Sequence, residues 1–431
     1  MNAHAHAPSH HPSAAEPAAR RGISVLGFSH LWPKSPGDKR GVYIRQMYDR
    51  LATRNDVRIL IPDAPELLLA KPAAGTVEVL PFRYGVPRRF STFGYGGGLT
   101  GEQRLSRASL ALAPFYALAA TRELFARRAT ADVIHAHFLV PNGAIAALAH
   151  GTRPLVISLH GSDVYLAEKS APMRAAARIA IREAAHIVPC SEDLAERVIE
   201  LGADPERVTV IPYGVDPAIF ARPVDEASKA AVRARAGAGT RPMVLFVGNL
   251  QPKKGVTHLL DAARRVLAER PDTFFCLVGA GPLERELKAK AASLGLSEKD
   301  VRFMGEVPWA EIPAWYAAAD VFVAPSVIDA SGNVDGLPNV VLEGMASALP
   351  VVASRVAGIG MVVKPGDTGW LVPPGNDEAL ARALREVLAD LSAARVRGAN
   401  ARRFLESQMT WDRIAARYEQ VFARVLASQH R

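Results

Sequence analysis

Cysteine is nearly absent: the 431-residue chain has two, Cys190 and Cys276, far apart and each within an apolar run. That excludes a disulfide framework and a cysteine-based zinc site, and it predicts two buried thiols. Long apolar runs are missing too. The longest, Ala108 to Ala120, carries Pro114 and falls short of the ~20 residues a membrane-spanning helix needs. The first twenty residues, rich in Ala, His and Pro, lack the apolar core of a leader and read as a tail. The net charge of +9 comes with no zinc-finger spacing and no alternating basic and aromatic run. Nucleic acid is therefore disfavoured as a partner, whereas anionic membranes and phosphorylated small molecules are not. No Gly-Lys-Ser/Thr phosphate loop, no Gly-x-Ser-x-Gly elbow and no pair of Asp flanking one residue occurs. These absences disfavour a P-loop ATPase, an esterase-type hydrolase and a divalent ion held by Asp-x-Asp.

What remains is 49% hydrophobic and 22% charged, the balance of a globular protein too long for one core. Short β-branched runs alternate with Ala/Leu/Arg-rich stretches, twice over. The predicted strands are Ile23–Phe28, Val57–Ile61, Val133–His137, Leu155–Leu159, His186–Cys190 and Val208–Pro212. After a break they resume with Met243–Val247, Thr273–Val278, Val301–Met304, Val321–Ala324 and Val351–Ala353. Nearly continuous apolar runs are what parallel strands buried on both faces require. The expected organisation is a tail (1–20), a first Rossmann-like domain (21–222), a polar linker (223–240), a second Rossmann-like domain (241–405) and a terminal helix (406–431) packing back on the first. The fold class is α/β, doubly wound, and ligands of such sheets bind at the carboxyl ends of the strands.

Five stretches fall at such ends. "DGLPNVVLEGMA" (Asp335–Ala346) places two acids eight positions apart across a turn that opens an apolar helix. Pro338 suits the first helical position, Gly336 a close backbone approach, and Val340, Val341 and Met345 the buried face. Its amides offer an anion site, with Asp335 at the loop edge and Glu343 inside the helix; an ordinary helix start reads the same way. "FVGNLQPKKGV" (Phe246–Val256) brings Lys254 to a strand–helix junction, where it could neutralise a diphosphate. "VGAGPL" (Val278–Leu283) is a weaker Gly-rich turn. "SLHGSDV" (Ser158–Val164) would face His160, Gly161 and Asp163 into the cleft. "HAHFLVPNG" (His135–Gly143) puts two histidines on one strand face without a third metal ligand.

In order and spacing, these stretches resemble the retaining glycosyltransferases of GT-B fold, glycosyltransferase family 4, as do "VIPYGVD" (Val210–Asp216) and "WDRIAARYEQVF" (Trp411–Phe422). The resemblance runs from Ile23 to the end and is most specific over Ala319–Ser354. It implies transfer of a hexose from a nucleotide-diphosphate sugar, with no cofactor beyond that co-substrate and no metal. Glu343 would bind ribose and Asp335 a sugar hydroxyl, while the backbone of Gly336, Leu337, Pro338 and Asn339 would cradle sugar and diphosphate. Lys254 would neutralise the leaving group, and His160 would support the sugar through carbonyl or ring. Gly248, Asn249 and Gly279 would line the phosphate loops, Gly41 would approach from the first domain, and Met304 would contact the base. Asp335 stands where most members have Glu, and Asn249 where many have Arg.

The acceptor is read from Arg83–Arg107, where Arg83, Arg88, Arg89, Arg104 and Arg107 mix with Phe90, Phe93 and Tyr95 ahead of an apolar helix at Leu110–Ala120. Such a patch suits an anionic membrane and a polyprenyl-linked glycan acceptor on the cytoplasmic face. A soluble sugar-phosphate acceptor, as in sucrose or trehalose synthesis, and a catalytically silent carbohydrate-binding relative are the alternatives.

Overall fold

The alternation builds two six-stranded sheets, every neighbouring strand pair parallel. In this computed structural model the described residues are 22–429, apart from 36, 37, 39, 70–72, 86–106 and 222. The first sheet contains β1 (Ser24–Phe28), β2 (Asp56–Pro62), β3 (Glu78–Phe82), β4 (Val133–His137), β5 (Leu155–Leu159) and β6 (His186–Pro189), in the spatial order β3-β2-β1-β4-β5-β6. The second contains β7 (Met243–Val247), β8 (Phe274–Val278), β9 (Val301–Gly305), β10 (Val321–Ala324), β11 (Val351–Ser354) and β12 (Trp370–Val372), ordered β12-β11-β10-β7-β8-β9. Read from the other edge, the second order repeats the first. Strand order reverses between β1 and β4 and between β7 and β10, the points where such sheets open a crevice.

Three features differ from the sequence expectation. β3 and β12 are edge strands; β3 contains Pro81, which an edge tolerates because one face of its ladder needs no donor. Val208–Pro212 is no strand: it follows β6 through Thr209 N–H to Ile187 O and Ile211 N–H to Pro189 O, and Pro212 has no N–H to continue the ladder. The supposed linker holds a helix, Glu226–Ala236, started by Asp225 accepting from the Ser228 N–H and ended by Gly237 in the left-handed conformation. Its polar composition belongs to a surface helix rather than a coil.

The terminal helix, Trp411–Gln429, lies on the outer face of the first sheet beside the Val42–Ala52 helix. Trp411, Ile414, Tyr418, Val421 and Phe422 share a core there with Ile44, Tyr48 and Leu51. It arrives from the second sheet, and the Val215 N–H donates to Met409 O at 2.8 Å where the chain crosses. The lobes are thus joined at two places, by the connection around residue 223 and by this return.

The first sheet buries His30, His135 and His137 almost completely. Burial disfavours their charged forms and lowers His30 to about 4 and His135 to about 3 from 6.5, with His137 also well below. Because the folded values are depressed, the unfolded chain takes up these protons first as pH falls below 6.5. Stability present above that value is lost on acidification, by up to about 1.4 kcal/mol per pH unit for each ring. Melting temperature should therefore fall between pH 7.5 and pH 5 in thermal denaturation; a flat profile would show that these rings are not held neutral.

Candidate active site

The loops at the carboxyl ends of the two sheets face each other across a cleft of 770 Å³. From the first lobe come residues after β1, the start of the Val42–Ala52 helix, His160 after β5 and Tyr213–Asp216. From the second come Gly248, Asn249, Lys253 and Lys254 after β7, Gly279 after β8, Glu306 after β9, and Asp335 to Asn339 with Glu343 after β10.

The cleft's centre is one carboxylate gripped by two ammonium groups. Lys254 Nζ lies 2.5 Å from Asp335 Oδ2, and Lys253 Nζ lies 2.8 Å from Oδ1. The side chains are 15–18% exposed, so water screens them little. Burial by itself would raise the Asp335 pKa, but Lys254 and Lys253 outweigh it and hold this carboxyl well below the usual carboxylate range. The lysines reach it because β7 and β10 are hydrogen-bonded neighbours whose loops leave the same sheet edge. Two cations against one anion leave a surplus positive charge at the mouth of the Asn339–Ala346 helix.

No side chain caps that helix. Pro338 is its N-cap, in an extended conformation, rather than its first helical residue. Val341, Leu342 and Met345 anchor it in the core, while Val340 is only partly buried. Glu343 sits one turn in, where the Tyr316 hydroxyl donates to Oε2 at 3.0 Å. Tyr316 is fully buried on the helix Ile312–Ala318, so Glu343 is oriented from behind.

At Gly336 the lobes meet closely. A methyl group there would lie 2.7 Å from Cys190 Sγ and 3.3 Å from the His160 carbonyl oxygen. Burial pushes the Cys190 thiol up to about 12, so it sits there as a neutral, unreactive group. His160 is partly buried and neutral, its pKa lowered to about 3 first by burial and then by the neighbouring histidines. Its Nδ1 lies 2.9 Å from Tyr213 Oη and its Nε2 3.0 Å from His137 Nδ1, so both ring nitrogens are held by protein groups. Tyr43 packs against both rings.

The geometry therefore brings together His160, Gly248, Asn249, Lys254, Gly279, Asp335, Gly336, Leu337, Pro338, Asn339 and Glu343. Four expected residues stand outside the cleft lining: Gly41, Met304, Gly161 and Asp163. Gly161 is buried, capping the Ser162–Lys169 helix at φ 119°. Gly41 caps the Val42–Ala52 helix at φ 68°, its backbone tight against Leu31 and Trp32, and Met304 packs against the core. Their neighbours Val42, Tyr43, Glu306 and Val307 line the cleft instead. Asp163 does not face the cleft. It is fully buried and accepts from the N–H groups of Leu139 (2.6 Å), Gly161 (2.9 Å) and His160 (3.3 Å), so it shapes the loop that presents His160. Sequence reasoning missed Lys253, whose only signal was the doubled lysine. It also missed Tyr316 and Tyr43, which carry no local signal.

Two Rossmann-type lobes facing each other across a cleft are the architecture of the GT-B fold. The model for "Glycosyltransferase Family 4" matches residues 40–219, and that for "Glycosyl transferases group 1" matches residues 241–390. A D-inositol 3-phosphate glycosyltransferase of Thermobispora bispora is 35% identical over 328 residues, covering 70% of this chain and 72% of that one. A GDP-mannose-dependent alpha-(1-6)-phosphatidylinositol monomannoside mannosyltransferase of Mycolicibacterium smegmatis is 32% identical over 278 residues, covering 63% and 71%. The solved structure of Anabaena HepE in complex with UDP superposes with a TM-score of 0.70 at 22% identity, covering 94% of this chain and all of that one. The chain belongs to glycosyltransferase family 4.

The contact at Gly336 can be measured. Gly336→Ala should cost about 1–3 kcal/mol of stability through overpacking. Combined with Cys190→Ala, which removes the clashing sulfur, the loss should be smaller than the sum of the single losses in urea denaturation. Strict additivity would place the two residues out of contact.

Proposed function

We propose that this protein transfers a hexose from a nucleoside-diphosphate sugar to an acceptor hydroxyl, with retention at the anomeric carbon. The carrying observation is the paired lysines on Asp335, in the cleft that also receives His160 and Glu343. The dependence of the mycolicibacterial relative on GDP-mannose supports a nucleotide-sugar donor.

In this reading the donor diphosphate takes over Lys253 and Lys254, which frees Asp335 to accept from a sugar hydroxyl. The leaving diphosphate gains charge as the glycosidic bond breaks. Two fixed ammonium groups and the amides of Gly336, Leu337 and Asn339 then stabilise the transition state more than the bound donor. Lys253 restores the second cation that Asn249 does not provide. Glu343, held by Tyr316, accepts from ribose hydroxyls. His160 contributes its carbonyl, beside Gly336, because both ring nitrogens are occupied. Closure of the lobes keeps water from the donor.

For the acceptor, a lipid-linked glycan in envelope or exopolysaccharide assembly fits the surface best. Most of the basic segment at 83–107, including Arg88, Arg89 and Arg104, lies outside the described residues; Arg83 is exposed and pairs with Asp63 at 3.3 Å. The helix that follows, Arg107–Arg127, exposes Phe115, Leu118 and Phe125, and Leu148 stands exposed on the adjacent helix Ala144–Ala149. Arg128 lies 3.7 Å over the Phe125 ring, and Arg122 falls on the same stripe. Apolar residues interleaved with arginine suit the interface of an anionic bilayer. No helix among the described residues is long and apolar enough to cross one. A soluble phosphorylated acceptor is the second reading, favoured by the inositol-phosphate relative.

Two experiments test these statements. Lys254→Ala should lower turnover of a sugar nucleotide by about a hundred-fold, as removal of one preorganised charge partner does. Lys253→Ala should lower it less, whereas Asp335→Asn keeps both cations and should retain nucleoside-diphosphate binding in calorimetry. A Lys254→Ala enzyme with full turnover would remove the mechanism. In liposome co-sedimentation the protein should prefer vesicles with phosphatidylglycerol over neutral ones, and Leu118→Asp with Phe115→Asp should abolish the preference; binding blind to lipid charge would favour the soluble acceptor.

A further inference from the structure

The two histidines of β4 have no role in the scheme above, yet they are among the most buried polar groups of the molecule. They alternate on one strand face, and the Tyr48 hydroxyl sits between them, 2.9 Å from His135 Nδ1 and 3.0 Å from His137 Nε2. The remaining nitrogen of each ring is also engaged. His135 Nε2 lies 2.8 Å from Ser158 Oγ, which lies 3.0 Å from Tyr418 Oη on the terminal helix. His137 Nδ1 lies 3.0 Å from His160 Nε2, and His160 Nδ1 lies 2.9 Å from Tyr213 Oη. The Tyr213 ring stacks on His160 and lines the cleft. An unbroken polar chain thus runs from the terminal helix, through the first sheet, to the floor of the cleft.

The fold makes room for it. Gly27, in the middle of β1, is where a side chain would collide: a Cβ would stand 2.5 Å from Tyr48 Oη. A strand-interior glycine weakens a sheet unless something must approach closely, and here the tyrosine does.

Counting protons restricts the chain to two states. A neutral imidazole has one N–H and one lone pair, and each hydroxyl has one proton. Every contact is made and the Tyr48 proton is placed only if all three rings carry the proton on Nδ1, with donors running toward Tyr213, or all three on Nε2, running toward Tyr418. A mismatch between His137 and His160 confronts two N–H groups or two lone pairs, and one across Tyr48 strands its buried hydroxyl proton or leaves a ring lone pair unmet, where an unmade bond costs most. The tautomers of His135, His137 and His160 are therefore coupled, although only His160 borders the cleft.

We infer that Tyr48 and His137 are positioning residues, which hold His160 as a single neutral tautomer at the end of β5 and keep its ring fixed against Tyr43 and Tyr213. Neither touches the cleft. Both act through His160, and the chain ends on a helix that is continuous with the second lobe, so the polar core of one lobe registers the seating of the other. The chain stands on geometry alone; its bearing on turnover rests on the transfer reading proposed above.

The test uses the full-length protein with 15N-labelled histidine rings, whose long-range proton–nitrogen correlations report each tautomer. In the wild type, His135, His137 and His160 should each show one protonated and one bare nitrogen, all of the same tautomer. Tyr48→Phe cuts the chain at its middle and should convert His160 to averaged tautomers. Turnover of GDP-mannose or UDP-glucose, whichever the wild type consumes, should fall about ten-fold, with KM for that donor within about two-fold. Gly27→Ala, which displaces the same hydroxyl, should reproduce both effects, and it serves if Tyr48→Phe does not fold. Unlike tautomers in the wild type, or an unaltered His160 spectrum in the variants, overturns the chain. An altered His160 with unchanged turnover overturns the positioning role and leaves the donor reading intact. Failure of the wild type on both sugar nucleotides counts against the function, and the ring spectra still decide the chain.

Discussion

The cleft depends on one electrostatic constraint: a carboxylate, mostly withdrawn from water, needs compensating charge on both oxygens. Asp335 has it in Lys253 and Lys254. The three groups fix the loop after β7 against the loop after β10, and so set the width of that side of the cleft. A buried ion pair adds little net stability when desolvation is counted. Its value here is placement, since the lysines are already ordered where an anion would arrive. The surplus charge makes the arrangement lopsided in favour of a second anion.

A second constraint acts on the first lobe. Its core holds a network of histidines, tyrosines and a serine, each ring and hydroxyl of which has a partner in the network. Such networks specify a unique arrangement because a partial one is worse than none. Asp163 does the same for the loop carrying His160, with three backbone donors on one carboxylate. Gly336 and Cys190 complete the fit by letting the lobes meet at backbone distance.

Each lobe is thus a rigid sheet with its chemistry on loops at the carboxyl ends, and the terminal helix ties the second lobe back onto the first. Family 4 membership and the GT-B fold follow from the whole chain, whereas donor and acceptor preference rest with loop residues and surface patches that the fold leaves free to vary.

Local pattern alone determined the parallel core strands, because strands buried on both faces need continuous apolar runs; β4, β5, β7 and β10 were legible to the residue. It also determined the strand–loop–helix junctions bearing Lys254, Asp335 and Glu343, since turn residues and helix starts are written within a few positions. The edge strands β3 and β12 were not legible, being short, partly exposed and, in β3, broken by Pro81. Nor was the helix Glu226–Ala236, whose polar sequence reads equally well as coil. Only tertiary structure decided that Asp163 is buried rather than in the cleft, that Lys253 shares Asp335, that Tyr316 stands behind Glu343, and that His135 and His137 join through Tyr48. Those pairings reach as far as 89 residues along the chain, and side-chain partners at that separation are chosen by how strands and helices stack, which no short window of sequence records.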